Sequence, residues 1–218
     1  MNSLLKILVI TDSLGLPRKS DDDLVPFEET WVNKLKEKAT VHQISIGGAT
    51  IYQLYEQIKY NELFNPDLVL VQSGIVDCAP RAFKMAERQL LQSIPLVRNV
   101  FSKVSEKYGK KIRNMRNISY TKPDLFKLYV QKIINDFKDK PVYFIGIVPA
   151  PLAYERKMKG ITKNIEAYNS ILKNASGDKF IETNDLSESG LLSDYHHLSV
   201  QGNQLLFEKI VKLLPQHL

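Results

Sequence analysis

Short, unbroken apolar runs alternate along this chain with longer stretches in which apolar residues recur every three or four positions. Residues 4–10, 41–46, 68–72 and 142–148 are rich in Val and Ile and bounded by turn formers, which predicts buried strands. A weaker fifth strand is expected around 179–182. Helical spacing covers 28–38, 51–60, 82–90, a long basic stretch through Gly109, and then 123–137, 161–173 and 200–214. Strands alternating with helices predict parallel β-α-β units in a three-layer α/β/α sandwich around a five-stranded sheet. At 218 residues the chain is the size of one large domain.

In such a sheet ligands bind beyond the carboxyl ends of the strands, near the point where strand order reverses. Four short candidate segments fall at those ends. Thr11-Asp12-Ser13-Leu14-Gly15 follows the first strand, Gly47-Gly48 the second, Ser73 to Asp77 the third, and Pro149-Ala150-Pro151 the fourth.

A serine hydroxyl becomes a competent nucleophile when an imidazole takes its proton and a carboxylate orients that imidazole. Ser13 is the candidate nucleophile. The segment Ser193-Asp194-Tyr195-His196-His197-Leu198-Ser199 supplies the partners, because Asp194 and His197 stand three residues apart before a closing amphipathic helix. His196 competes for the role of base, since adjacent histidines are not expected to face one site together; spacing favours His197. Gly47 and Gly48 can present backbone N–H groups to an oxyanion, with the Ser13 N–H as a second donor, although a Gly-Gly pair also serves simply to turn the chain. Asp12 and Ser13 have a plain alternative as turn or cap residues.

Composition removes several classes of chemistry. Cys78 is the single cysteine, so neither an intrachain disulfide nor a cysteine-based zinc or iron–sulfur site can form within the chain. Cys78 itself reads as a small packing residue. Residues 4–10 are interrupted by Lys6 and too short for a signal-peptide core or a membrane span, so a cytoplasmic protein without a transmembrane segment is expected.

The net charge of +6 is locally concentrated: residues 98–122 hold eight Lys and Arg against one acid, Glu106. This segment exceeds the crossover needed between a third and fourth strand and predicts a basic helical insertion at about 98–122, a lid or substrate wall. It suits an anionic surface or substrate, or else forms a solvated helix face. No nucleic-acid partner is expected, because no zinc-finger, Gly-rich or RNA-binding aromatic signature accompanies the charge.

Thr11-Asp12-Ser13-Leu14, Gly47/Gly48, Gly74-Ile75-Val76-Asp77 and Asp194-x-x-His197 together resemble, in order and approximate interval, the four blocks of SGNH hydrolases, the GDSL-type esterases and lipases. The resemblance spans nearly the whole chain. It implies a flavodoxin-like fold, Ser13 as nucleophile, His197 as general base and acid, Asp194 as its partner, an oxyanion hole from Ser13 and Gly47 or Gly48, and no metal or cofactor.

Two positions depart from the family pattern. Thr11 stands where Gly is usual, and Val76 stands where the family carries the Asn whose amide is the third oxyanion donor; valine has nothing to donate. Arg81 is near enough in sequence to replace that donor or to clamp an anionic substrate, or to lie at the surface. Asp12 and Asp77 join Arg81 as expected substrate-binding residues. The segment 74–81, GIVDCAPR, also resembles the variant third block of members associated with bacterial surface polysaccharides. That resemblance implies a saccharide ester, O-acetyl above all, as substrate. Hydrolysis is the leading expectation, with acyl or other group transfer, or a catalytically weakened binding protein of the same fold, as alternatives.

Overall fold

The computed structural model describes residues 5–116, 118–186 and 189–214. Leu4 and Asn117, which fall in predicted segments, lie outside the described residues. Five strands, β1 (Lys6–Thr11), β4 (Thr40–Ser45), β5 (Leu68–Gln72), β6 (Val142–Ile145) and β7 (Phe180–Ile181), form one parallel sheet in the order β4-β1-β5-β6-β7. β1 therefore sits between β4 and β5, the next two strands of this sheet in chain order, and the strand order reverses beside it. A separate two-stranded ribbon, β2 (Arg18–Lys19) with β3 (Leu24–Val25), was not anticipated, since two-residue strands are too short to show alternation.

The near-continuous apolar strands are explained by burial on both faces. Ile7 and Val9 of β1, with Leu68 and Leu70 of β5, point to one side, against Trp31 and Leu35 of α1 (Trp31–Leu35) and Leu206 and Ile210 of α9 (Val200–Val211). Leu8, Ile10, Val69 and Val71 point to the other. There they meet Ile51 and Leu54 of α2 (Ile51–Ile58), Phe126 and Val130 of α6 (Pro123–Asp136) and Ile165 and Leu172 of α8 (Ile161–Ser176). These are the three layers of an α/β/α sandwich.

Element boundaries moved where side chains offered the backbone a better partner. The helix expected over 28–38 is a 3-10 turn, Phe27–Glu29, followed by α1, because Thr30 takes extended backbone angles and its hydroxyl caps Asn33 N–H at 3.3 Å. The fourth strand stops at Ile145 instead of 148. The Asn169 side chain takes both the N–H and the C=O of Ile147, at 2.8 and 2.7 Å, so that residue needs no neighbouring strand.

Between β5 and α6 the chain forms the short α3 (Ile75–Cys78), then α4 (Met85–Ser93) and α5 (Pro95–Arg116). The helical excursion thus starts earlier than 98. At 22 residues α5 is about 33 Å long. Its base is fastened by Arg116, which grips Glu87 of α4 through two hydrogen bonds of 2.6 and 2.8 Å and also donates to the Ala82 carbonyl. No helix among the described residues is long and apolar enough to cross a membrane.

Candidate active site

Asp12 leaves the end of β1, fully buried, and its Oδ1 accepts from Leu14 N–H at 2.9 Å. That hydrogen bond caps the single 3-10 turn Ser13–Gly15 and holds Ser13 at the lip of the sheet. Gln43 of β4 steadies the far end of the turn through its amide bond to the Gly15 carbonyl, 3.0 Å.

The partner loop is built at the opposite end of the chain. Leu191 and Leu198 form an antiparallel bridge, Leu192 N–H donates to His197 O at 2.9 Å, and Ser199 N–H donates to Gly190 O at 2.8 Å. Asp194 to His197 occupy the small closed loop this creates. Its reversal needs a left-handed residue, and Tyr195 takes that conformation with φ 69°, a strained choice for a side chain of its size. Asn203 of α9 anchors the loop, its amide donating to Leu198 O and Ser199 O while its oxygen accepts from Trp31 N–H.

The two ends meet. Ser13 Oγ lies 2.9 Å from His197 Nε2, and His197 Nδ1 lies 2.6 Å from Asp194 Oδ2. Asp194 Oδ1 accepts the backbone N–H groups of His196 and His197, and Arg18 of the ribbon approaches Oδ2 at 3.4 Å. Burial opposes ionisation of Asp194, but the bonds from the His197 ring and backbone, with the nearby imidazoles, outweigh it and hold the carboxyl well below the usual range. An ionised Asp194 keeps the proton on Nδ1 and leaves Nε2 free to accept from Ser13.

Both histidines line the cleft, contrary to the expectation that only one could face it. They do so because the Tyr195 reversal turns the loop: His196 stacks on Tyr154, with centroids 5.9 Å apart and planes at 14°, while His197 reaches Ser13. His196 Nδ1 is engaged by Asp194 O, and burial lowers its pKa. Asp194, His196 and His197 bring possible metal-ligand atoms within 4.8 Å of one another. The His197 nitrogens are both already engaged, by Asp194 and Ser13, so a metal there would have to break the Ser13–His197–Asp194 chain.

The cleft over these residues measures about 700 Å³, and Gly47, Gly48, Val76 and Arg81 form part of its wall. Gly48 sits at φ 73°, which explains glycine at that position. Ala49 N–H closes the turn onto Ile46 O, and no acceptor among the described residues takes the Gly47 or Gly48 N–H. Arg81 is oriented by Tyr120, its guanidinium 4.5 Å from the ring centroid, and donates to Val76 O at 3.3 Å.

Asp12 and Asp77, expected to bind substrate, are completely buried, and neither lines the cleft. Asp77 accepts from Ile51 N–H at the start of α2 and from the Thr121 hydroxyl, tying together the segments that frame the site. Burial pushes Asp77 up to about 6 and Asp12 up to about 7, the latter despite the Leu14 hydrogen bond and with added repulsion from Asp77. Cys78 is buried with its thiol pKa raised by burial, in keeping with a packing role. Arg18, Tyr154 and Asn203 escaped the sequence reading, since no local pattern marks a residue whose partner lies dozens to well over a hundred positions away.

No protein-family model matches the chain, and no curated protein does. Solved structures do. A lipase/acylhydrolase from Enterococcus faecalis superposes with a TM-score of 0.65 at 14% identity, over 96% of this chain and 95% of that one. This chain has the fold of the GDSL-type hydrolases. An acetylxylan esterase from Geobacillus stearothermophilus matches at TM-score 0.61 and 15% identity, covering 96% and 94% of the two chains. A GDSL-like lipase from Bacteroides thetaiotaomicron matches at 0.60 and 13%, covering 95% and 86%.

Proposed function

We propose that the chain is a serine esterase that removes an acyl group, O-acetyl above all, from a small polar or saccharide ester. The observation that carries this reading is the unbroken chain Ser13 Oγ, His197 Nε2, His197 Nδ1, Asp194 Oδ2, with links of 2.9 and 2.6 Å at the carboxyl edge of a parallel sheet.

His197 takes the Ser13 proton as Oγ attacks the ester carbonyl, and Asp194 stabilises the imidazolium that results. The carbonyl oxygen gains negative charge and is received by the N–H groups of Ser13 and Gly47 or Gly48. His197 then gives its proton to the departing alkoxide, leaving an acyl group on Ser13. A water molecule, deprotonated by His197, cleaves that acyl-enzyme and regenerates the hydroxyl.

Val76 favours a second reading on a specific ground. With an apolar side chain in the cleft wall where an amide donor is expected, the oxyanion receives less support, which suits a slow enzyme or a binding protein of this fold. The acetylxylan esterase among the structural matches supports the O-acetyl saccharide assignment, as does a cleft with both polar and aromatic walls.

A fluorophosphonate probe is expected to label Ser13, and Ser13→Ala to abolish cleavage of p-nitrophenyl acetate. Undiminished turnover by the alanine variant would overturn the assignment. A wild-type protein that is neither labelled nor active would favour the binding reading.

A further inference from the structure

A second cavity of about 590 Å³ adjoins the Ser13 cleft and shares with it Arg81, Arg88, Tyr120 and Met158 as a common wall. Its remaining lining comes from residues 80–83, Gln92 and one face of α5. Four cations, Arg81, Arg88, Lys110 and Arg113, border it, and no carboxylate does. Glu87, the acid of α4, is held in the double hydrogen bond to Arg116 and is unavailable to neutralise them.

Three donors in this lining are buried without a partner: Arg81 Nε, Arg113 Nε and Ser105 Oγ. Both guanidinium groups are nevertheless held in place by another nitrogen, Arg81 through Val76 O and the Tyr120 ring, Arg113 through Lys157 O at 3.0 Å. A buried donor left unmade is costly, and a guanidinium is shaped to bond an oxyanion through adjacent nitrogens.

The helix that supplies much of the cavity, α5, mixes polar and apolar groups on its inward face. Ser105, Gly109 and Arg113 follow the buried Phe101 at spacings of four, hence on one face, and all four line the cavity. Val100, Val104, Tyr108 and Met115 are exposed. An amphipathic helix ordinarily buries its apolar stripe. Turning serine and arginine inward becomes favourable once something anionic satisfies them.

We propose that this cavity is the subsite for a compact oxyanion, phosphate or carboxylate, carried by the same molecule as the ester cleaved at Ser13. The ester half of the statement rests on the hydrolase reading above; the anion half stands on the cavity alone. The shared Arg81 and Arg88 wall lets one molecule span both chambers.

The test is an NMR titration of the Ser13→Ala protein, followed at the Arg81 and Arg113 Nε–H resonances, with glucose 1-phosphate, glucuronate and glucose. At least one anionic ligand is expected to bind tenfold or more tighter than glucose and to shift both resonances, with raised salt weakening it. Preference for the phosphate or for the glucuronate identifies which oxyanion the site takes. Lys110→Gln, which removes a cation with no hydrogen bond or ion pair among the described residues, is expected to weaken anion binding several-fold, and Arg113→Gln tenfold or more at an unchanged circular dichroism spectrum.

Equal affinity for glucose and both anions, or anion binding indifferent to both substitutions, would overturn the subsite. Anion binding by a protein whose wild type cleaves no ester would leave the subsite standing and remove the hydrolase reading. Ester cleavage with no anion preference would do the reverse.

Discussion

Gly202 and Gly190 are packed backbone against backbone. A Cβ built on Gly202 would enter the van der Waals shell of the Gly190 carbonyl oxygen and lie 2.8 Å from its carbonyl carbon. Because Gly190 O also receives Ser199 N–H, this contact sets the base of the loop that carries Asp194 and His197.

Gly202→Ala is therefore expected to cost more than the gain in helix propensity returns, about 2 kcal/mol or more of net stability, since backbone and not a flexible side chain must give way. Urea denaturation measures the loss, and esterase activity should fall with it as His197 leaves Ser13. A variant as stable and active as the parent would show that the loop does not depend on this contact.

Asp194→Asn preserves shape while removing the charge that holds the Nδ1 proton. Turnover of p-nitrophenyl acetate is expected to fall by about 10³ to 10⁴, as in serine enzymes where the same change leaves the imidazole in the wrong tautomer. A loss below tenfold would mean that Asp194 orients nothing that matters to the rate.

Val76→Asn offers the oxyanion an amide at the position now occupied by an apolar wall. One such donor is typically worth about 10² to 10³ in rate, so a rise of about tenfold or more in kcat for p-nitrophenyl acetate is expected even from imperfect placement. If kcat does not rise, the oxyanion is already served by another group, and Arg81→Ala should then lower it.

Asp12 makes stability fall as pH rises. Its folded pKa, about 7, lies above the unfolded carboxylate value of 3.8, so the native state binds more protons between those limits and loses stability across that window. Asp77, at about 6, acts in the same direction. Asp194 acts oppositely, its stabilisation being present above its unfolded value and lost on acidification below about pH 4. Asp12→Asn retains an oxygen for Leu14 N–H and removes one ionisation. Unfolding free energies at pH 4.5 and 7.5 should show the variant gaining on the parent at the higher pH; parallel values would contradict the raised pKa.

The sheet was legible because strands such as β1 and β5 are buried on both faces, which forces continuous apolar runs that need no knowledge of the partner strand. The candidate site was legible for a related reason: parallel strands deliver their trailing turns to a single edge, so Ser13, Gly47/Gly48 and Val76 had to converge. The burial of Asp12 and Asp77 was not legible, because a carboxylate in a turn reads alike whether it meets a substrate or caps a neighbouring N–H. Only the packing of α2 and of residues 119–122 over Asp77 distinguishes the two.

Local chemistry thus determined the strands, the turn that carries Ser13 and the spacing of Asp194 and His197, since backbone geometry and side-chain periodicity operate over a few residues. Tertiary structure alone decided that His196 stacks on Tyr154, that Arg18 approaches Asp194, and that Arg81 and Arg113 face one acid-free cavity. Each of those pairings spans dozens to well over a hundred positions of chain, and the energy that selects it comes from burial and charge, which exist only once the layers have packed.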